Sequence, residues 1–299
     1  MPMDIGGGIP AWRLADAEIE RLVDEDLRFG DLTTRALGIG GRPGRMSFAA
    51  RPAGQSTVAP PTMVLSGVDE AARLLARMGA TVTFAAPSGG RYPVGAPLLT
   101  AEGPAAALHG GWKVAQTVME WASGVATATC EIVQAARAVR SDIAVLCTRK
   151  SIPFTRQLSL KAVIDGGGEV HRLGLSDTLL VFPEHRVFLG GDLGAAIAAL
   201  KRRVPERAVM VEVTSEAEAL AALDAQADVI QLEKFSPNAV ADLARRITRR
   251  GDGRPIIAAA GGINAGNSAA YAAAGADTLV TSAPFYAKPV DIQVHIVAT

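Results

Sequence analysis

The stretch from Cys147 to Arg172 gathers residue types that bind anions. It opens with Cys147-Thr148-Arg149-Lys150 and closes with His171-Arg172, just after the glycine run Gly166-Gly167-Gly168. Asp165 and Glu169 are the only acids inside it. Guanidinium groups grip carboxylates and phosphates in a planar, two-point fashion. Arg149-Lys150 follow the apolar run Ile143 to Leu146, which places them where a strand ends. Ligands of α/β folds meet the carboxyl ends of strands. A cationic cluster at that position predicts an anionic small molecule.

The elements that would carry this cluster follow from periodicity. Apolar runs at 143–146, 178–182, 208–213, 229–232, 256–260 and 278–281 alternate with helical segments at 157–165, 192–204, 216–225, 237–249 and 265–274. Short, wholly apolar strands separated by single helices predict a parallel sheet covered by helices. About six such units suit an α/β barrel of the β/α kind that stops short of eight. Ser236-Pro237 is a helix start, with serine as N-cap and proline in the first turn. Upstream, the chain predicts a mixed unit. Trp12 to Asp26 is helical, Arg45 to Arg51 a strand, Val68 to Met78 a helix and Thr81 to Ala85 a strand. Pro87 to Pro97 is rich in turn residues. The Ala-rich span from Ala105 to Arg140 reads as one long helix or as two, broken near Ser123-Gly124. The last run, Asp291 to Val297, alternates and can return to the first unit. Boundaries are drawn at residues 1–112 and 113–289, with 290–299 rejoining the former.

The strand ends of this barrel carry the other candidates. Glu212 lies inside Val211-Glu212-Val213, where a charge rarely serves packing. Glu233-Lys234 ends the next strand, Gly261-Gly262 the one after, and Ser282 the last. Gly261-Gly262, ahead of a helix from Ala265, can offer backbone N–H groups to a phosphate. Two carboxylates facing it can hold ribose hydroxyls or a magnesium ion. They can equally stabilise positive charge on a sugar ring. Cys147 reads as an inert strand-end thiol. His109, His185 and His295 read as bystanders.

Bulk properties narrow the class. The chain has 299 residues, 49% of them hydrophobic, and a formal net charge of zero. That argues against nucleic-acid binding through bulk charge. No apolar run reaches the length of a membrane span, and the glycine-rich start, Met1 to Pro10, lacks the pattern of a signal peptide. Two cysteines, Cys130 and Cys147, suit a reducing, cytoplasmic compartment.

Five motifs occur in one order: Gly30-Asp31-Leu32-Thr33-Thr34, Ser123-Gly124-Val125-Ala126-Thr127, Thr148-Arg149-Lys150, Gly166-Gly167-Gly168 through His171-Arg172-Leu173-Gly174-Leu175, and Gly261-Gly262-Ile263. In this the chain resembles the quinolinate phosphoribosyltransferase family, and within it the ModD-type branch associated with molybdenum transport. The resemblance implies an N-terminal α/β sandwich followed by an incomplete β/α barrel. It implies a homodimer, or a higher even oligomer, that shares its sites between subunits. It implies transfer of phosphoribosyl from phosphoribosyl pyrophosphate (PRPP) to the ring nitrogen of a heterocyclic acid, with magnesium. Pyrophosphate and, for quinolinate, carbon dioxide are the products. By position, Arg149, His171 and Arg172 would hold the acid, and Lys150 would face the donor. Glu212 and Glu233 would address the ribose or its magnesium. Gly261, Gly262 and Ser282 would line the phosphate side. Lys113 falls where the family has an arginine donated across the dimer.

The chain also departs from the family's pattern. Phe182-Pro183-Glu184-His185 stands where the family has Lys-Asp-Asn-His, Cys147 replaces an aspartate, Ala260 a serine and Ser282 a glycine. Phenylalanine cannot pair with a carboxylate, so an acceptor other than the dicarboxylate quinolinate is expected. Two rival readings are an oxyanion-binding protein holding molybdate at Arg149, His171 and Arg172, and an aldolase-like barrel using Lys150 or Lys161 as a Schiff base.

Overall fold

The computed structural model describes residues 12–51, 62–248 and 253–299. The glycine-rich start and the end of the helix expected to reach Arg249 lie outside the described residues. The chain divides into two units, one of residues 1–127, 152–167 and 286–299, the other of residues 128–151 and 168–285.

The first unit begins with α1 (Asp16–Leu27) and the short α2 (Leu32–Ala36). Asp31 caps α2, accepting from Thr34 N. Then come β1 (Pro43–Ala50), β2 (Thr62–Val64), α3 (Val68–Arg77), β3 (Thr81–Ala85), β4 (Arg91–Pro93) and β5 (Pro97–Pro104). Sequence reasoning missed β5, which starts and ends on proline and sits at the end of a turn-rich stretch. β1 buries alternate residues, Met46, Phe48 and Ala50, as a half-buried strand should.

A single helix, α4 (Ala105–Arg137), leads out of this unit into the other. The break considered near Ser123-Gly124 does not occur. Ser123 Oγ accepts from Ser66 N and donates to Ser66 O instead of disturbing its own helix. Gly124 allows close approach of another segment, since a Cβ there would sit 2.5 Å from Lys288 O.

The second unit is built on parallel strands. In chain order the elements are β6 (Ala144–Cys147), α5 (Arg156–Asp165, part of the first unit), β7 (Glu169–Val170), β8 (Leu179–Val181), α6 (Pro183–Arg186), α7 (Leu193–Arg203), β9 (Val209–Val213), α8 (Glu216–Asp224), β10 (Val229–Glu233), α9 (Pro237–Thr248), β11 (Ile256–Ala260), α10 (Ser268–Ala273) and β12 (Thr278–Thr281). The sheet order is β7-β6-β12-β11-β10-β9-β8. β7 and β8 are its two edges, so this is an incomplete barrel. The two-residue β7 escaped the sequence reading, being too short to show a period.

The last strand, β13 (Ile292–Ala298), pairs antiparallel with β1 and completes the first unit's sheet, β13-β1-β5-β3. Gln116 Nε2 donates to Ile292 O at 2.8 Å, and Ile292 N donates to Glu120 Oε1.

Strand parity in the second unit decides what faces where. Val209, Val211 and Val213 belong to the large core under the helices, together with Ile197, Ala219, Ile230 and Leu232. Their alternates form a smaller inner cluster of Leu146, Met210, Val229, Ala258, Ala260 and Val280. Side chains alternate faces along a strand. Two residues beyond this inner layer the same face therefore carries Thr148, Glu212, Gln231 and Ser282.

Candidate functional site

That inner face opens into a cavity of about 340 Å³ at the carboxyl ends of the strands. Nine of the ten residues proposed from sequence line it: Arg149, Lys150, His171, Arg172, Glu212, Glu233, Gly261, Gly262 and Ser282. The tenth, Lys113, stands in the first unit on α4, where its Nζ donates to Gln116 and lies 4.3 Å from the Trp112 ring centroid.

One wall is cationic. Arg172 is only 5% exposed, and among the described residues no carboxylate lies within ion-pair distance of it. Burial and then Arg149 both push its pKa down, with Asp177 offsetting in part. His171 stands beside it, its backbone N–H donating to Cys147 O at 3.0 Å. Burial, together with Arg172 and Arg149, drives the imidazole down to about 4, and the facing Gln231 offsets only part of this. At neutral pH His171 is therefore an uncharged imidazole. Its Nε2 is buried without a hydrogen-bond partner, as is Oε1 of Gln231. His171 and Gln231 both line the cavity and face each other.

The opposite wall is anionic. Glu212 and Gln231 are register partners on β9 and β10, and Gln231 Nε2 donates to Glu212 Oε2 at 2.6 Å. Burial raises the Glu212 carboxyl, as does nearby Glu233; the Gln231 bond lowers it, Glu184 raises it and Lys150 lowers it. Sequence reasoning overlooked Gln231. The signal was the one that exposed Glu212, a polar residue inside an apolar strand, but an amide is less conspicuous than a charge. This pair of acids fits magnesium, which uses one or two carboxylates and takes its remaining ligands from water and phosphate. No cluster of three or more metal-ligating side chains exists among the described residues.

The glycine turn differs from expectation. Helix α10 begins at Ser268, not Ala265, because Asn264 and Asn267 compete for the backbone. Asn267 Oδ1 accepts from Asn264 N, Asn264 Oδ1 accepts from Gly266 N, and both side-chain amides donate to Gly262 O. Gly261 and Gly262 both have φ of 85°. A Cβ on Gly261 would fall 2.7 Å from Lys234 Cγ and 2.8 Å from Glu233 Oε1, so glycine is needed for shape as well as for φ. At the cavity floor Thr148 Oγ1 and Ser282 Oγ share a 2.9 Å hydrogen bond.

Two other candidates are placed differently. Burial raises the Cys147 thiol to about 12, which leaves it unreactive. Lys161 sits in the first unit, bonded to Asp165 at 3.0 Å, Asp69 at 3.2 Å and Ser88 at 3.2 Å. Burial alone would lower its pKa, but Asp165, Glu70 and Asp69 outweigh that and hold the ammonium above its usual value. A Schiff-base lysine needs a free amine, so Lys161 is corrected from nucleophile to structural cation.

Sequence comparison agrees along nearly the whole chain. The profile "Quinolinate phosphoribosyl transferase, N-terminal domain" matches residues 31–123, and its C-terminal counterpart matches residues 125–295. This chain belongs to the quinolinate phosphoribosyl transferase family. A Rhodobacter capsulatus protein called "Putative pyrophosphorylase ModD" is 48% identical over 255 residues, 85% of this chain and 94% of its own. A Mycobacterium leprae protein, "Nicotinate-nucleotide pyrophosphorylase [carboxylating]", is 33% identical over 272 residues, 89% of this chain and 90% of its own. Among solved structures, NadC from Streptococcus pyogenes is similar with a TM-score of 0.83 at 25% identity, covering 96% of this chain and 99% of that one. No described helix is long and apolar enough to cross a membrane.

Proposed function

We propose that this family member transfers phosphoribosyl from PRPP to the ring nitrogen of an anionic heterocycle, releasing pyrophosphate. What carries the reading is one cavity lined by both a cationic group, Arg149, Lys150 and Arg172, and a pair of carboxylates, Glu212 and Glu233. An acid acceptor and a sugar becoming cationic need these opposite surroundings at once.

The acceptor's carboxylate rests on Arg149 and Arg172, with neutral His171 hydrogen-bonded to it. Its ring nitrogen lone pair forms the bond to C1 of the ribose as the C1–oxygen bond to pyrophosphate breaks. Lys150 receives charge on the departing pyrophosphate. Glu212 and Glu233 face the positive charge that develops on the ribose, an electrostatic contribution that grows toward the transition state. Magnesium, when bound, neutralises pyrophosphate charge, and Glu212 and Glu233 are the residues that would hold it. A homodimer belongs to the same reading, each pocket completed by Lys113 of the partner subunit.

The test is pyrophosphate release from PRPP and magnesium against a panel of pyridine mono- and dicarboxylates. Release that depends on an acid, with a monocarboxylate preferred over quinolinate, is expected. Because Arg172 is buried and unpaired, a second reading is retention of an inorganic oxyanion. Molybdate binding with no binding of PRPP would favour it and overturn transfer.

A further inference from the structure

A second cavity of about 540 Å³ adjoins the first in the same unit. The two share Arg172, Leu180 and Phe182. Its walls are apolar, from Leu179 on the edge strand β8, Leu189 beyond α6, and Ala196, Ala199 and Leu200 on α7. Phe182 stands at the junction. Its ring stacks on His185 at 5.8 Å, and Arg172 Cζ lies 5.6 Å from the ring centroid on the shared side. Phe182 N donates to His185 Nδ1 at 3.0 Å, which holds the His185 ring against it.

The cavity is not featureless grease. Thr178 lines it as well. Arg172 and Arg203 put cations at its rim. A buried arginine with no carboxylate in ion-pair distance among the described residues is costly unless an anion meets it. The space exceeds that of the first cavity and has room for more than a single small ring.

We propose that this cavity is the apolar half of the acceptor site. The acceptor is then a monoanionic nitrogen heterocycle carrying an aryl or alkyl substituent. Its carboxylate sits on Arg172, and its substituent passes the Phe182 ring into the leucine-lined space. This rests on the reading that an acid occupies the barrel mouth. It explains in one stroke why an aromatic ring at residue 182 borders the arginine.

Calorimetric titration with nicotinate, 5-phenylnicotinate and quinolinate tests it, with PRPP titrated separately. The phenyl acid should bind about tenfold or more tightly than nicotinate, and quinolinate should gain nothing from its second carboxylate. In the Ala199→Trp variant, which fills the cavity, the phenyl-to-parent ratio should fall toward one. Thermal unfolding checks that the variant is folded, and Ala199→Val provides a milder filling with a smaller fall. A wild-type ratio of one or less, failure of all three acids to bind, or a ratio unchanged in folded Ala199→Trp overturns the proposal. The ratio with no PRPP binding sustains this subsite and sinks transfer. PRPP binding without the ratio does the reverse.

Discussion

Two buried cations of this chain live in opposite circumstances. Lys161 in the first unit is 3% exposed and surrounded by Asp165, Asp69 and Ser88, with Asp165 further tied to Ser66 at 2.6 Å. Arg172 in the second unit is 5% exposed and has a phenylalanine ring and another arginine for neighbours, with Asp177, beyond ion-pair distance, offsetting only in part. Burying a charge is costly unless it is paired. The Lys161 cluster meets that requirement within the fold, whereas the Arg172 cluster leaves it to a ligand. A charged cluster balanced by its own residues is architecture. One left unbalanced at the carboxyl ends of strands is what the proposed acid site rests on.

The sharpest way to test this contrast is to remove charge on the anionic wall of the cavity. Glu212→Gln should reduce transfer by roughly three orders of magnitude, measured as pyrophosphate release. Its thermal stability should hold or rise, because burial and Glu233 already disfavour the Glu212 carboxylate. Retained turnover would remove Glu212 from the chemistry.

Next in size is the paired substitution of the two cations. Lys161→Met should destabilise the protein by ~3–5 kcal/mol in denaturant unfolding, since Asp165 and Asp69 are left uncompensated. Arg172→Met should be neutral or stabilising in the same assay while losing affinity for acids. Equal destabilisation by both would erase the comparison.

Proton linkage gives a third probe. His171 has a folded-state pKa of about 4 against an ordinary 6.5. The unfolded chain therefore binds the proton more readily between those values. Stability from this group is present above pH 6.5 and is lost as pH falls toward 4, by no more than ~3 kcal/mol. His171→Asn should flatten that part of the stability profile. An unchanged slope would show that the imidazole titrates normally.

The smallest effects separate the two glycines. Gly261→Ala combines steric conflict with positive φ and should cost ~2–3 kcal/mol, while Gly262→Ala meets no atom within 4 Å and should cost ~1 kcal/mol. Equal melting temperatures for the two would deny the close approach to Glu233 and Lys234.

How far the site was readable follows from the same physics. A carboxylate between valines on β9 cannot be there for packing, so Glu212 announced itself. The parallel strands were legible because each is buried on both sides and so reads as an unbroken apolar run. Gln231 was hidden by being neutral. The edge strand β7 was hidden by its length, and β5 by flanking prolines. The start of α10 moved because side-chain amides of Asn264 and Asn267 outbid the helix for backbone groups. The second cavity was invisible to sequence, since it lies between the edge strand β8 and helix α7 and no periodicity records such a gap.

The central claim is most directly tested by titrating PRPP, with magnesium, into the protein by calorimetry, a step that needs no knowledge of the acceptor. The account predicts saturable binding that Lys150→Ala weakens and that pyrophosphate competes away. Absence of binding, or binding indifferent to Lys150→Ala and to pyrophosphate, would contradict it.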